Sequence, residues 1–327
     1  MPYPRIARVI AAAALLVASG APLRAQDPLA RGLALFGQRQ WAPARRAMQP
    51  YAASHPRDAR AAYYIGRTYL SERTLDPAVE WLEKAVALDA RVADYHVSLA
   101  NAYGLQAMNA NLLGQAILAR KAKGEFDAAV ALDAGNVEAH RGLMRYYMLA
   151  PALLGGSMDR ARQEAGEIRR RSPWEGANAF AEIHRQAGDL AAASREYETL
   201  VRAYPDSVKA YVMLASSYEQ MKRPQSSVEV FERLLRRQPQ SYAAFYQIGR
   251  LSTVTGEGLD RAAELLQRYL RHTPAAGEAP LTYAHWRLGM VYEKQGKRDL
   301  ARAAYRTAVA LDARNRQAQQ ALARLGG

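Results

Sequence analysis

One six-residue phrase, Ala-Val-Ala-Leu-Asp-Ala, occurs three times in this chain, at 85–90, 129–134 and 308–313. A single globular domain has no physical reason to spell one phrase three times, whereas a chain assembled from copies of one supersecondary unit does. The residues upstream of the phrase set the period. Ile65-Gly66, Tyr69, Ala78 and Ala85 form one frame, and Leu288-Gly289, Tyr292, Ala301 and Ala308 reproduce it with the same gaps. Leu214-Ala215, Tyr218, Ser227, Phe231 and Pro239 fit it again, as do Gly32, Ala44, Met48 and Pro56. Gly32 to Gly66, and Ala215 to Gly249, are steps of 34 residues.

Each copy reads as two helices. Val79, Leu82 and Val86 recur at the spacing of one helix face. Gly66, Gly249, Gly289, Ala78 and Ala301 put little or no side chain where paired helices must approach, and the prolines fall beyond helix ends, where no backbone donor is needed. One helix pair cannot bury its apolar face alone, so neighbours must stack into one continuous core. With half of the residues hydrophobic, the chain has enough apolar side chains to fill it.

This frame resembles the tetratricopeptide repeat, a helix-turn-helix unit of the same length. Tyr211, Leu214, Tyr218, Phe231 and Pro239 carry the likeness, as do Trp286, Leu288, Gly289, Tyr292, Gly296, Ala301, Tyr305 and Ala308. The expected fold is therefore an all-α solenoid of about eight stacked repeats. The units are 26–58, 59–92, 93–136, 137–174, 175–207, 208–241, 242–280 and 281–315, followed by a capping helix within 316–327 whose Arg316, Gln317, Gln319, Gln320 and Arg324 suit an exposed end.

The first 25 residues carry the order of a secretory signal. Arg5 and Arg8 precede an apolar run at 9–18, Ser19, Gly20 and Pro22 break it, and Ala25 offers a cleavage point before Gln26. The expectation is an exported protein, periplasmic or secreted, of a bacterium whose genes favour alanine and arginine. No stretch approaches the twenty apolar residues of an ordinary membrane helix. The absence of cysteine is compatible with an oxidising compartment. The formal charge is +14, and loss of Arg5, Arg8 and Arg24 with the signal leaves +11, which favours acidic partners. No nucleic-acid motif accompanies that charge, so a nucleic-acid partner is not expected.

Two units are too long. In the third, Tyr103 and Ala122 stand nineteen apart where the frame asks for nine, and in the fourth there is an excess around 150–157. Both are expected as inserted loops, at 104–121 and 150–157, on one edge of the stack. Leu112, Leu113, Leu153 and Leu154 are apolar for loops. Either they pack on each other, which is the favoured expectation, with Ser157 capping the next helix, or they contact a partner or a membrane.

No chemistry is expected, and neither a cofactor nor a metal. The six histidines lack the three- or four-residue spacing of helical ligands, and His96, His140 and His285 share one repeat position suited to packing. Gly256-Glu257-Gly258 and Gly155-Gly156-Ser157 lack the rest of a nucleotide or phosphate motif. The resemblance implies instead a peptide-binding groove lined by first helices, at two positions one turn apart in each unit. Those positions, with Arg60 beside them, give Arg60, Tyr63, Arg67, Asn101, Arg141, Arg145, Asn178, Tyr246, Arg250 and Trp286. Arginine forks bind carboxylates at two points, so the groove suits an extended acidic peptide or protein segment. Two alternatives stay open: Arg67 and Arg145 pair internally with Asp94, Glu138 or Glu182, or the chain is an envelope-assembly or polysaccharide-secretion subunit meeting anionic glycan or lipid.

Overall fold

The computed structural model describes residues 27–326, and the signal expected at 1–25 lies outside them. Every regular element among the described residues is a helix. They group into two compact units, divided between Gly156 and Ser157.

The first unit contains three complete helix pairs and one further helix. The pairs are α1 (Pro28–Gly37) with α2 (Trp41–Ser54), α3 (Ala59–Ser71) with α4 (Leu75–Leu88), and α5 (Ala93–Asn109) with α6 (Leu112–Leu132). Then come α7 (Val137–Leu149) and a 3-10 turn at Ala152–Leu154. The second unit begins with α8 (Met158–Arg171). Its pairs are α9 (Pro173–Gln186) with α10 (Leu190–Ala203), α11 (Val208–Gln220) with α12 (Pro224–Arg237), α13 (Tyr242–Thr255) with α14 (Leu259–Tyr269), and α15 (Leu281–Lys294) with α16 (Arg298–Leu311). It closes with α17 (Arg316–Arg324). Within each unit a helix packs mainly on the helices before and after it in sequence, the pattern of an α-solenoid.

The repeated phrase has a definite local job. Its first alanine, at 85, 129 and 308, is fully buried at the end of a second helix. The carbonyl of that alanine accepts the backbone N–H of the phrase's aspartate, at 3.0, 2.9 and 3.1 Å respectively. That aspartate leaves helical geometry, and its carboxylate then accepts the N–H two residues on: Arg91, Gly135 and Arg314. The result is an Asx turn that stops one helix and aims the chain at the next. Side-chain caps then start several first helices, among them Asp58 on Ala61 and Asn136 on Ala139.

Small residues do what the frame requires. A Cβ built on Gly66 would lie 2.7 Å from Cγ of Leu82, and one on Gly289 would lie 2.4 Å from Cε1 of Tyr305. Ala78 and Ala301 have no exposed surface. Seven residues after the small position the chain turns through the left-handed region. Gly188, Gly256 and Gly296 do this in three repeats, and Arg39, Arg73 and Lys222 do it in three others. Polar ties also follow the period. Arg250 holds Glu219, Arg237 holds Asp206 and Arg324 holds Glu293, each across 31 residues. At the C-terminus, Ala318, Ala321 and Leu325 of the last segment are buried, while Arg316, Gln317, Gln319, Gln320 and Arg324 are exposed, so α17 caps its stack.

The third repeat corrects the expectation of a loop at 104–121. The extra residues lengthen both helices, to 17 residues in α5 and 21 in α6. Only Ala110 and Asn111 separate them, and Asn111 caps α6 by accepting the Gly114 N–H at 2.9 Å. No proline interrupts 99–119, so helix propagates as far as the turn allows. The second excess is a short connection closed by the 3-10 turn, with the Tyr146 hydroxyl donating to the Leu154 carbonyl and Ser157 accepting the Arg160 N–H. The expectation that the leucines bury one another fails. Leu112 is 85% exposed, Leu113 72% and Leu153 93%, while Leu154 is half-buried.

Candidate binding faces

In the first unit the candidate side chains stand on α3, α5 and α7. Tyr63 is buried, its ring centroid 4.5 Å from that of Tyr95 and 5.1 Å from that of Tyr64. It therefore serves as a platform. Its hydroxyl accepts a bond from Nη1 of Arg67 at 3.1 Å, and the Arg67 guanidinium lies 5.1 Å from the Phe36 ring centroid and 5.4 Å from that of Tyr63. Arg67 has no carboxylate partner among the described residues, so the internal pairing considered for it does not occur. Arg60 and Asn101 are exposed. Arg141 meets Glu138 one turn away at 3.8 Å. Arg145 is exposed and has an intramolecular contact of its own.

The second unit carries the rest on α9, α13 and α15. Asn178 accepts a bond from the Tyr197 hydroxyl at 3.3 Å. Arg250 is committed: its two terminal nitrogens donate to Glu219 at 2.9 and 2.7 Å, and its Nε donates to Gln247 at 2.7 Å. A bidentate pair of this kind uses the fork that a ligand carboxylate would need. Tyr246 packs on Tyr269, ring centroids 5.4 Å apart. Trp286 is half-buried, and the guanidinium of the next residue, Arg287, stacks 4.2 Å from its ring centroid.

Arg287 was not among the residues singled out from sequence, yet it is the most unusual cation of this unit. It is half-buried, and Nη1 meets the Thr253 hydroxyl at 3.3 Å and the Met290 sulfur at 3.6 Å, with Tyr246 beside it. Its Nε is buried with no hydrogen-bond partner. Burial pushes its pKa down, the neighbouring Arg250 pushes the same way, and Tyr246 opposes both. Arginine does not give up its proton in proteins, so the direction reports a charge held where water solvates it poorly. From Leu281 to Tyr292 the sequence contains no acid to answer it, and that gap was the available signal. Among the described residues Arg287 has no carboxylate partner.

Two of the histidines, His96 and His140, sit as packing residues. His96 and His140 are buried, and each ring Nε2 lies about a hydrogen bond from the last carbonyl of the preceding phrase, Ala90 at 3.0 Å and Ala134 at 3.1 Å. Nδ1 of His96 meets Glu125 at 2.5 Å. No group of three or more His, Asp or Glu that could hold a metal ion occurs among the described residues. No described helix is long and apolar enough to cross a membrane.

Family models described as tetratricopeptide repeat match residues 29–93, 178–242, 212–277 and 282–315, together more than half of the chain. Among solved structures, a thermophilic TPR protein of Thermus thermophilus is 24% identical, over 59% of this chain and 97% of that one, with a TM-score of 0.47. A tetratricopeptide repeat protein from Parabacteroides merdae is 14% identical, over 82% of this chain and 99% of that one, with a TM-score of 0.41. YrrB, described as a TPR protein with an unusual peptide-binding site, is 16% identical over 75% and 98%, with a TM-score of 0.36. No curated protein matches the sequence.

Proposed function

Because this chain belongs to the tetratricopeptide repeat family, whose members generally act as protein–protein interaction scaffolds, we propose that it is a non-enzymatic scaffold that binds an extended acidic segment of a protein or peptide. The observation that carries the reading is Arg287, a half-buried guanidinium stacked on Trp286 with a buried, unbonded Nε and no carboxylate of its own. Arg67 plays the corresponding part in the first unit, stacked between Phe36 and Tyr63. An aromatic platform holds each guanidinium in place before a ligand arrives, which lowers the ordering cost of binding. Arg60, Asn101, Tyr246 and Trp286 add polar and aromatic contact area beside them. Arg250, by contrast, acts through Glu219 as a structural tie.

The order of residues in 1–25 supports export, so the partner is sought in the periplasm or outside the cell. N-terminal sequencing of protein from its native host should begin at Gln26, and Met1 would refute export.

The binding test is a titration of an extended, glutamate-rich peptide followed by fluorescence anisotropy. A carboxylate held by a charged hydrogen bond in a partly dry site contributes about 1.5–3 kcal/mol, so Arg287→Gln should weaken binding to the second unit, and Arg67→Gln binding to the first, roughly tenfold or more. Arg236→Gln, on the exposed side of α12, should chiefly slow association and lower its salt sensitivity. Affinity unchanged in both Arg287→Gln and Arg67→Gln would end the proposal.

A further inference from the structure

The end of the first unit formed by the α5–α6 turn has a character that the groove does not explain. From Tyr95 to Ala119 there is no Asp, Glu, Lys or Arg, in a chain that is 23% charged. The starting frame of α5 and the finishing frame of α6 are those of the other repeats, so the added residues lie at their shared tip. Against the 13 and 14 residues of α3 and α4, the 17 and 21 of α5 and α6 extend that tip by roughly 6–10 Å at about 1.5 Å per residue.

What the extension carries is apolar and uncovered. Met108 is 74% exposed, Leu112 85%, Leu113 72% and Ile117 51%. Leu113 and Ile117 are one turn apart and share a face of α6. Two successive hairpin turns leave α5 and α7 running the same way, so Leu149 (63% exposed) and Leu153 (93%) lie at the same end of this unit. Behind the apolar tip come cations. Arg120 and Lys121 are exposed on α6, about 12 Å along the helix from Leu112, and Arg73 stands at the α3–α4 turn. Of the acids on α4, Asp76 accepts from Gln106 at 2.8 Å, and Glu83 accepts from the Tyr103 hydroxyl and pairs with Lys121 at 3.9 Å.

We propose that this tip is a membrane-surface anchor, inserting Leu112, Leu113 and Ile117 into an anionic lipid leaflet while Arg120 and Arg73 meet the headgroups. The dimensions agree with that occupant, since interfacial elements bury their apolar face about 5–10 Å into a bilayer. Each juxtaposed Lys or Arg adds attraction to anionic lipid. A projecting tip needs no complementary cavity in a fluid surface, whereas a folded protein partner would have to supply one. The net positive charge, +11 without residues 1–25, opposes a second copy of this chain. The proposal is independent of the groove reading, because it uses another part of the first unit.

The absence of cysteine makes the test direct. Leu113→Cys in the full chain is labelled with an environment-sensitive fluorophore, and Arg316→Cys on the exposed face of α17 serves as control. With phosphatidylglycerol–phosphatidylcholine vesicles the label at 113 should shift to the blue and brighten, the label at 316 should not, and pure phosphatidylcholine should give a weaker response. In unlabelled protein, Leu112→Glu with Ile117→Glu should lower vesicle partitioning at least about tenfold, and Arg120→Glu should remove the preference for anionic lipid. Circular dichroism should be unchanged, since these positions are exposed. A label at 113 that stays water-exposed with anionic vesicles would overturn the proposal. So would its burial in a dimer, or a response only to an acidic protein.

Discussion

Alanine at Gly66 should destabilise this protein, whereas alanine at Gly124 should stabilise it. Both glycines lie within helices of the first unit. A Cβ on Gly66 would sit 2.7 Å from Cγ and 3.0 Å from Cδ2 of Leu82, and 3.2 Å from its backbone nitrogen. Leu82 has no exposed surface, so its side chain has nowhere to swing and α3 must move from α4. Overpacking of this kind costs about 1–3 kcal/mol, offset by roughly 1 kcal/mol from alanine's better helix propensity. Nothing lies within 4 Å of a Cβ on Gly124, so there only the propensity gain of about 1 kcal/mol remains. The two variants should therefore differ by about 1–3 kcal/mol, with opposite or near-opposite signs. Urea titrations at constant slope measure the difference, and hydrogen exchange of α3 and α4 locates it. Adding Leu82→Ala to Gly66→Ala should cost less than the sum of the two singles, because the new methyl enters the cavity that the leucine leaves. Equal shifts in the same direction for Gly66→Ala and Gly124→Ala would refute the close approach of α3 and α4 at this point.

Two further outcomes follow from the backbone and from one histidine. Arg73 is exposed and holds a φ of 57°, a conformation that costs an L residue about 1–2 kcal/mol. Arg73→Gly should stabilise by up to ~1 kcal/mol after the added unfolded-state freedom, and Gly296→Ala, at the same place in its repeat, should destabilise; thermal unfolding distinguishes them. Burial lowers the pKa of His285 below its ordinary 6.5, so the unfolded chain takes up the proton first. Its contribution is complete above pH 6.5 and falls away as pH drops through the depressed folded value. His285→Phe should flatten the acid limb of stability against pH, and an unchanged limb would contradict this.

The repeat was legible because its determinants are local and recur: a small residue at the helix crossing, a tyrosine one turn on, and an aspartate or proline beyond the second helix. The phrase at 85–90, 129–134 and 308–313 proved to be a helix end with its Asx turn. The length of the third repeat was legible, but its form was not. Counting residues shows an excess without saying whether it loops or propagates helix, and the decisive signal was Asn111, a cap standing before Leu112. The groove was harder to read. A frame of two positions per helix finds Tyr63 and Arg250, but not that one is buried as a platform and the other is bound to Glu219. The 31-residue spacing shared by Glu219–Arg250, Asp206–Arg237 and Glu293–Arg324 carried that information in the sequence. Arg287 escaped because it lies one residue past the position inspected, and its contacts with Trp286 and Met290 arise only from packing.

The proposed seating of an acidic segment on α13 and α15 beside Arg287 would put that segment against the Trp286 ring. It is tested most directly by the fluorescence of Trp286, in a variant with Trp41, Trp81 and Trp174 changed to Phe, during titration with a glutamate-rich peptide. A saturable change in Trp286 emission should follow the binding isotherm, disappear in Arg287→Gln and not be produced by a lysine-rich peptide. A peptide that binds by anisotropy while Trp286 emission stays constant would contradict it.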